Sequence, residues 1–368
     1  MPRVAIILGT RPEAVKMAPI VLAMAEAPDF EPRVISTGQH REMLNQTLAV
    51  FGIRPDRDLD LMRPGSTLSD ALSRHVAALD VALADERPDF VLVQGDTTTV
   101  LAGALAAAYR RIPLGHVEAG LRVGTLDEPF PEEINRRATT PLATLHFAPT
   151  RRAAENLYRE NVPRERVFVT GNTVVDALGI IAGRLGSGSG RSGSVTRTIL
   201  VTLHRRENLG EPMAEVCRAL RDIIDRFDDV EIVFPMHRNP AVREVIGPIL
   251  GDHPRVRLVE PLDYVELIGQ LRDAYVCVTD SGGIQEEAPT FGTPVLVARA
   301  TTERPEAIEA GCARLVGTAR IAVRSALMEL LSDAAAREKM ARVGNPFGDG
   351  HAAARILDAI RRYFSGRG

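Results

Sequence analysis

From Gly115 to Arg137 the chain reads GHVEAGLRVGTLDEPFPEEINRR, a glycine- and proline-punctuated stretch crowded with carboxylates and holding no histidine after His116. Upstream, VLVQGDTTTVLAG closes an apolar run on Gly95 and Asp96. If Asp96, Glu118 and Glu132 converge, mutual repulsion and partial burial raise at least one carboxyl pKa. Such a set can donate a proton from one member while another accepts. Two other uses stay open: three carboxylates suit magnesium, and Asp96 reads equally as a helix cap ahead of Thr97, Thr98 and Thr99.

Cations cluster at comparable places. In LGTRPEAVKMAP, Gly9 eases a turn, Pro12 suits the first turn of a helix, and Arg11 and Lys16 lie close to its positive end, which reads equally as an anion site and as a plain strand-to-helix turn with two solvated cations. Lys16 and Lys339 are the only lysines in an arginine-dominated chain. VTLHRREN sets His204 between a strand and two arginines, Arg205 and Arg206, which suits a phosphate. FPMHRNP repeats the layout with His237 and reads equally as a surface loop. VTDSGGIQEEAP offers the backbone N–H groups of Ser281, Gly282 and Gly283 at a helix start, with Glu286 and Glu287 placed to accept ribose hydroxyls, and TTERPEA adds Arg304.

All these segments follow short β-branched runs that alternate with longer Ala- and Leu-rich patterns, the rhythm of parallel βαβ units. The rhythm runs through VAIILGT to RVFVTGN, then restarts at RTILVTLHR. Between them lies GSGSGRSGS, Gly186–Ser194, which cannot bury apolar surface. The expectation is an α/β protein of two Rossmann-like doubly wound domains facing a central cleft. Residues 1–171 form the first domain, joined by the helix 351–368, and 172–350 form the second. In the last segment Ile356, Ile360, Tyr363 and Phe364 share one helical face and need a surface to dock on. Ligands of open α/β sheets bind beyond the carboxyl ends of the strands, where these motifs fall.

At 368 residues, 45% hydrophobic and 25% charged, with net charge −3, the composition is that of a globular protein without the basic footprint of nucleic-acid binding. No apolar run approaches the length of a membrane span, so no membrane association is expected. Cys217, Cys277 and Cys312 are scattered in apolar stretches, which predicts core thiols in a reducing cytoplasm.

In order along the chain, GTRPEAVKMAP, TGQHREML, GDTTTVLAG, GHVEAGLR, PFPEEINR, GNTVVDAL, HRREN, DSGGIQEEAP, TTERPEA and NPFGDGHAA resemble the non-hydrolysing UDP-N-acetylglucosamine 2-epimerases. The resemblance spans the chain apart from the glycine-serine stretch. It implies a GT-B-like pair of Rossmann domains, with UDP held mainly by the second and the last helix crossing back to the first. It implies reversible conversion of UDP-N-acetylglucosamine to UDP-N-acetylmannosamine by anti elimination of UDP to 2-acetamidoglucal and readdition, without nicotinamide or metal, in a homodimer. By the same carry-over Asp96, Glu118 and Glu132 are acid/base groups, and His204 assists departure and return of UDP. Arg11, Lys16, Arg136, His237, Ser281, Gly282, Gly283, Glu287 and Arg304 bind substrate.

Two departures stand out. Leu203 replaces the glycine that usually precedes this histidine, and is expected to add bulk at a substrate-facing turn. Gln39, His40 and Arg206 match a site through which many members are activated by their own substrate, yet RPGSTLSD differs from the family pattern near it. Gly65 and Ser66 therefore motivate the expectation of weakened activation. A GT-B glycosyltransferase and a UDP-sugar-binding protein without turnover remain as alternatives.

Overall fold

A computed structural model describes residues 1–38, 41–63, 65–123, 125–127, 129–185 and 196–366. Among these the strands form two all-parallel sheets, one in each of two units: Met1–Ala177 with Gly348–Gly368, and Leu178–Phe347.

The first sheet contains β1 (Arg3–Leu8), β2 (Glu31–Ser36), β3 (Arg57–Asp58), β4 (Phe90–Gln94), β5 (Leu114–Val117), β6 (Leu145–Ala148) and β7 (Val167–Val169) in the order β3-β2-β1-β4-β5-β6-β7. A strand covered by helices on both faces must be apolar throughout, and every residue of β4, FVLVQ, is buried. On one face Ala5, Ile7, Val91 and Val93 pack against Leu79 and Leu83 of helix Leu68–Glu86 and Val100 and Ala104 of helix Thr98–Tyr109. The rings of Tyr363 and Phe364, on the last helix Ala352–Ser365, meet Phe90 edge-on at 5.6 and 6.1 Å. Ile356 and Ile360 of that helix are fully buried.

The division between units falls between Ala177 and Leu178, inside helix Thr173–Leu185 and six residues beyond the boundary expected at 171/172. The first turn of that helix is tied to the last one: Asp176 accepts hydrogen bonds from the backbone N–H groups of Ala352 (3.2 Å) and Ala353 (2.9 Å). Burial raises the Asp176 pKa despite those bonds. The glycine-serine stretch lies outside the described residues.

The second sheet contains β8 (Arg197–Thr202), β9 (Val230–Pro235), β10 (Val256–Val259), β11 (Val276–Thr279), β12 (Val295–Val297) and β13 (Ala313–Leu315), in the order β10-β9-β8-β11-β12-β13. Its core joins Ile199, Val201, Ile232, Phe234 and Val278 to Leu220, Ile223 and Leu327 from the covering helices.

In both sheets the direction of strand progression reverses once, between β1 and β4 and between β8 and β11. Helices leave on opposite faces at such a point, so the strand ends there stay uncovered and form the usual ligand crevice of a doubly wound sheet. Cys217, Cys277 and Cys312 are free and buried. Among the described residues no helix is long and apolar enough to cross a membrane.

Candidate active site

At the reversal in the first unit, the turn after β1 carries Gly9 and Thr10, and the helix Arg11–Glu26 opens with Arg11. Gly9 is required here for space, since a side chain would collide with the hydroxyls of Thr37 and Thr99. The buried carboxylate of Glu13 turns back to accept from the N–H groups of Gly9 (2.6 Å) and Thr10 (2.8 Å) and from the Thr97 hydroxyl. Burial drives its pKa up to about 7, against the lowering effect of the bonds from Thr97, Gly9 and Thr10. The one signal for Glu13 in the sequence is the Thr-x-x-Glu spacing of a capping box that it forms with Thr10.

Beyond β4, Thr97 caps helix Thr98–Tyr109 by accepting from the Val100 N–H at 3.3 Å. Asp96 is therefore not the cap, and its carboxylate accepts from Arg136 Nη2 at 2.5 Å. Beyond β5, Glu118 adopts φ +63°, a left-handed conformation costly for a residue with a side chain. Its carboxylate pairs with Lys16 and accepts from Asn172 Nδ2 at 3.3 Å. Gln94 and Val117, the last residues of β4 and β5, are partners in register, so Asp96 and Glu118 leave adjacent strand ends. Glu132 opens helix Glu132–Thr139, half-buried, and shares a face with Arg136 at i,i+4 spacing.

Asp96 meets Arg136 and Glu118 meets Lys16, and burial raises the pKa of a neighbouring carboxyl, Glu13. The acid-rich loop also divides its labour. Glu133 is completely buried against Arg136 (3.1 Å) and Arg137 (2.7 Å), a structural pairing, while Arg122 holds Glu160 at 2.6 Å.

In the second unit His204 follows β8. The fully buried Asp280, which follows β11, accepts from the backbone N–H groups of His204 (3.0 Å) and Arg205 (3.0 Å) and from Asn208 Nδ2 (3.0 Å). Its other oxygen lies 3.2 Å from His204 Nδ1. That nearby negative charge favours a hydrogen on Nδ1 in the neutral ring and leaves Nε2 for chemistry. Burial pushes the His204 pKa down, with Arg205 and His237 adding to the effect and Asp280 opposing it. The His237 ring stacks on that of His204 with centroids 6.1 Å apart.

Leu203 does not face the substrate side. It is 2% exposed and packs in the core with Ile199 and Val201. Alternate residues of a strand share a face, so the series Ile199, Val201, Leu203 already carried this signal. Leu203→Ala is expected to cost about 2–5 kcal/mol of stability, the range for truncating a buried leucine, with KM unchanged. Denaturant unfolding and steady-state kinetics of the one variant check both parts.

Ser281 precedes helix Gly282–Glu287, and a Cβ placed on Gly282 would lie 3.8 Å from Arg205 Nη2 and 4.0 Å from Arg304 Cζ, so two guanidinium groups border this glycine. Glu286 is buried and ion-paired with Arg304. Glu287 accepts from the Tyr264 hydroxyl at 3.1 Å. Gln39 and His40 lie outside the described residues, as does the side chain of Arg206. Ser66 accepts from Arg74 at 2.8 Å.

The family profile for UDP-N-acetylglucosamine 2-epimerase matches residues 22–361. The UDP-N-acetylglucosamine 2-epimerase of Salmonella typhimurium is 49% identical, the alignment covering 98% of this chain and 99% of that protein. The crystal structure of UDP-GlcNAc 2-epimerase from Neisseria meningitidis bound to UDP-GlcNAc is 40% identical with a TM-score of 0.90, covering 98% of this chain and 100% of that one. The glycotransferase of kitacinnamycin, at 17% identity and a TM-score of 0.67 over 98% of both chains, shares the fold.

Proposed function

Since the chain belongs to the UDP-N-acetylglucosamine 2-epimerase family, we propose that it inverts C2 of UDP-N-acetylglucosamine by eliminating and re-adding UDP. The observation that carries this reading is the pair of carboxylates, Asp96 and Glu118, at adjacent strand ends beside the reversal, each held by a cation.

A hydrogen on C2 of a sugar is weakly acidic, so its removal needs help from departure at C1. One carboxylate among Asp96, Glu118 and Glu132 takes the C2 proton as the C1–O bond breaks and UDP leaves with the bonding pair, giving 2-acetamidoglucal. A second carboxylate then delivers a proton to the opposite face of C2, and a UDP oxygen re-forms the bond to C1. The sequence is redox-neutral and consumes nothing. Negative charge grows on the leaving diphosphate, and fixed cations such as Arg11, Lys16 and Arg304 stabilise it in the transition state. His204 assists UDP from its imidazolium form, which the adjacent Asp280 carboxylate favours: Nε2 gives a proton to the diphosphate as UDP leaves and takes it back when UDP returns.

Proton NMR of the protein with UDP-N-acetylglucosamine in deuterium oxide tests the reading. The manno epimer is expected to appear with deuterium at C2. Epimer retaining protium at C2 would defeat the solvent-exchanging carboxylate route, and UDP released only when a sugar acceptor is added would show a transferase instead.

A further inference from the structure

We propose that His116 and Asn135 are positioning residues that aim the Asp96 carboxylate by holding the backbone carbonyls of Gly95 and Asp96. The proposal rests on the assignment of Asp96 as an acid/base group. Between β4 and β5 the last ladder bond at this end runs from the Gly95 N–H to the Val117 carbonyl at 3.0 Å. Past it, the sheet offers the next carbonyls no regular partner, and Gly95 turns through φ +83°. Two side chains fill the gap. His116 Nε2, from β5, donates to the Gly95 carbonyl at 2.7 Å, and Asn135 Nδ2, from helix Glu132–Thr139, donates to the Asp96 carbonyl at 2.9 Å. Arg136, the next residue on that helix, takes the Asp96 carboxylate itself. Backbone and side chain of Asp96 are thus held from the same helix that presents Glu132.

A merely space-filling role explains His116 poorly. The ring is fully buried, and its Nδ1 meets no hydrogen-bond partner among the described residues, a cost that an apolar side chain would avoid. The bond to Gly95 is what a histidine adds here. A carbonyl only accepts, so the ring is the Nε2–H tautomer. Burial holds its pKa at about 4, which keeps it neutral across the working range.

The decisive experiment compares His116→Phe, His116→Gln, Asn135→Ala and Asp96→Asn in kcat, KM and thermal stability. His116→Phe keeps the volume and loses the donor, while the glutamine restores one. A displaced acid/base group reduces the chemical step, so His116→Phe and Asn135→Ala are each expected to lower kcat about ten- to hundredfold with KM within about threefold, and His116→Gln to recover part of the loss. In the Asp96→Asn background either change should add almost nothing, because its effect passes through Asp96. Folded His116→Phe and Asn135→Ala proteins with undiminished kcat would overturn the proposal, as would losses that multiply fully with that of Asp96→Asn. If His116→Phe does not fold, Asn135→Ala decides alone by the same two criteria. Full activity in Asp96→Asn itself would instead remove the reading on which the proposal rests.

Discussion

Replacing Asp96 by asparagine is expected to lower kcat by about 10²- to 10⁴-fold, the range for a lost general acid or base, while the protein stays folded. Asparagine keeps the shape and an oxygen for Arg136 but cannot exchange a proton. Glu118→Gln should behave alike, with one difference. Glu118 is also an anion that Lys16 faces, so its neutralisation weakens that pairing and is expected to change KM as well. Asp96 meets a guanidinium that also has Glu133 at 3.1 Å, so charge balance there is partly preserved. Steady-state rates, with deuterium incorporation at C2 measured in parallel, separate the two. An Asp96→Asn enzyme that exchanges and epimerises at the parental rate would end the assignment.

Asp280→Ala should injure both stability and turnover. It strips the acceptor from two backbone N–H groups and from Asn208, in a position with no exposure to water. Unsatisfied buried donors of this kind cost about 1–3 kcal/mol each. Partial relaxation brings the expected total to roughly 2–4 kcal/mol. His204 loses the carboxylate 3.2 Å from its Nδ1 as well, so the charge that supports its ring is gone, and kcat should fall about ten- to hundredfold, as when a supporting partner of a functional histidine is removed. Asp280→Asn, similar in shape, is expected to lose activity with a smaller stability loss, because its amide oxygen still accepts. Calorimetry and kinetics on both variants check this, and an Asp280→Ala protein as stable and active as the parent would refute it.

The parts of this arrangement that could be read in advance are those with a local cause. Apolar runs such as VAIIL and FVLVQ declare buried parallel strands, and residues just beyond them fall at the sheet's carboxyl edge whatever the rest of the chain does. Asp96, Glu118 and His204 were legible for that reason. The residues that hold them were not, because each acts across a long stretch of sequence. Asp280 reaches His204, Asn172 reaches Glu118, and Glu13 reaches Thr97, through contacts that exist only once separate βαβ units are packed together. Three consecutive threonines made the helix cap ambiguous until Val100 N–H chose Thr97. The left-handed backbone of Glu118 likewise has no signature in the residue itself, since glutamate does not favour it. Leu203 differs, because its alternation with Ile199 and Val201 is visible in the sequence and already assigns it to the core.

The last helix belongs to the unit that contains β1 to β7, although residues 178–347 intervene. During synthesis, then, Phe90 has emerged and its strand can pair long before Tyr363 and Phe364 exist to cover its ring. Asp176 likewise waits for the amides of Ala352 and Ala353. The unit spelled by a continuous stretch has all its residues once Phe347 is added, whereas the one bearing Asp96 and Glu118 still needs the helix Ala352–Ser365. The order of translation thus leaves the proposed proton-handling half as the last to mature.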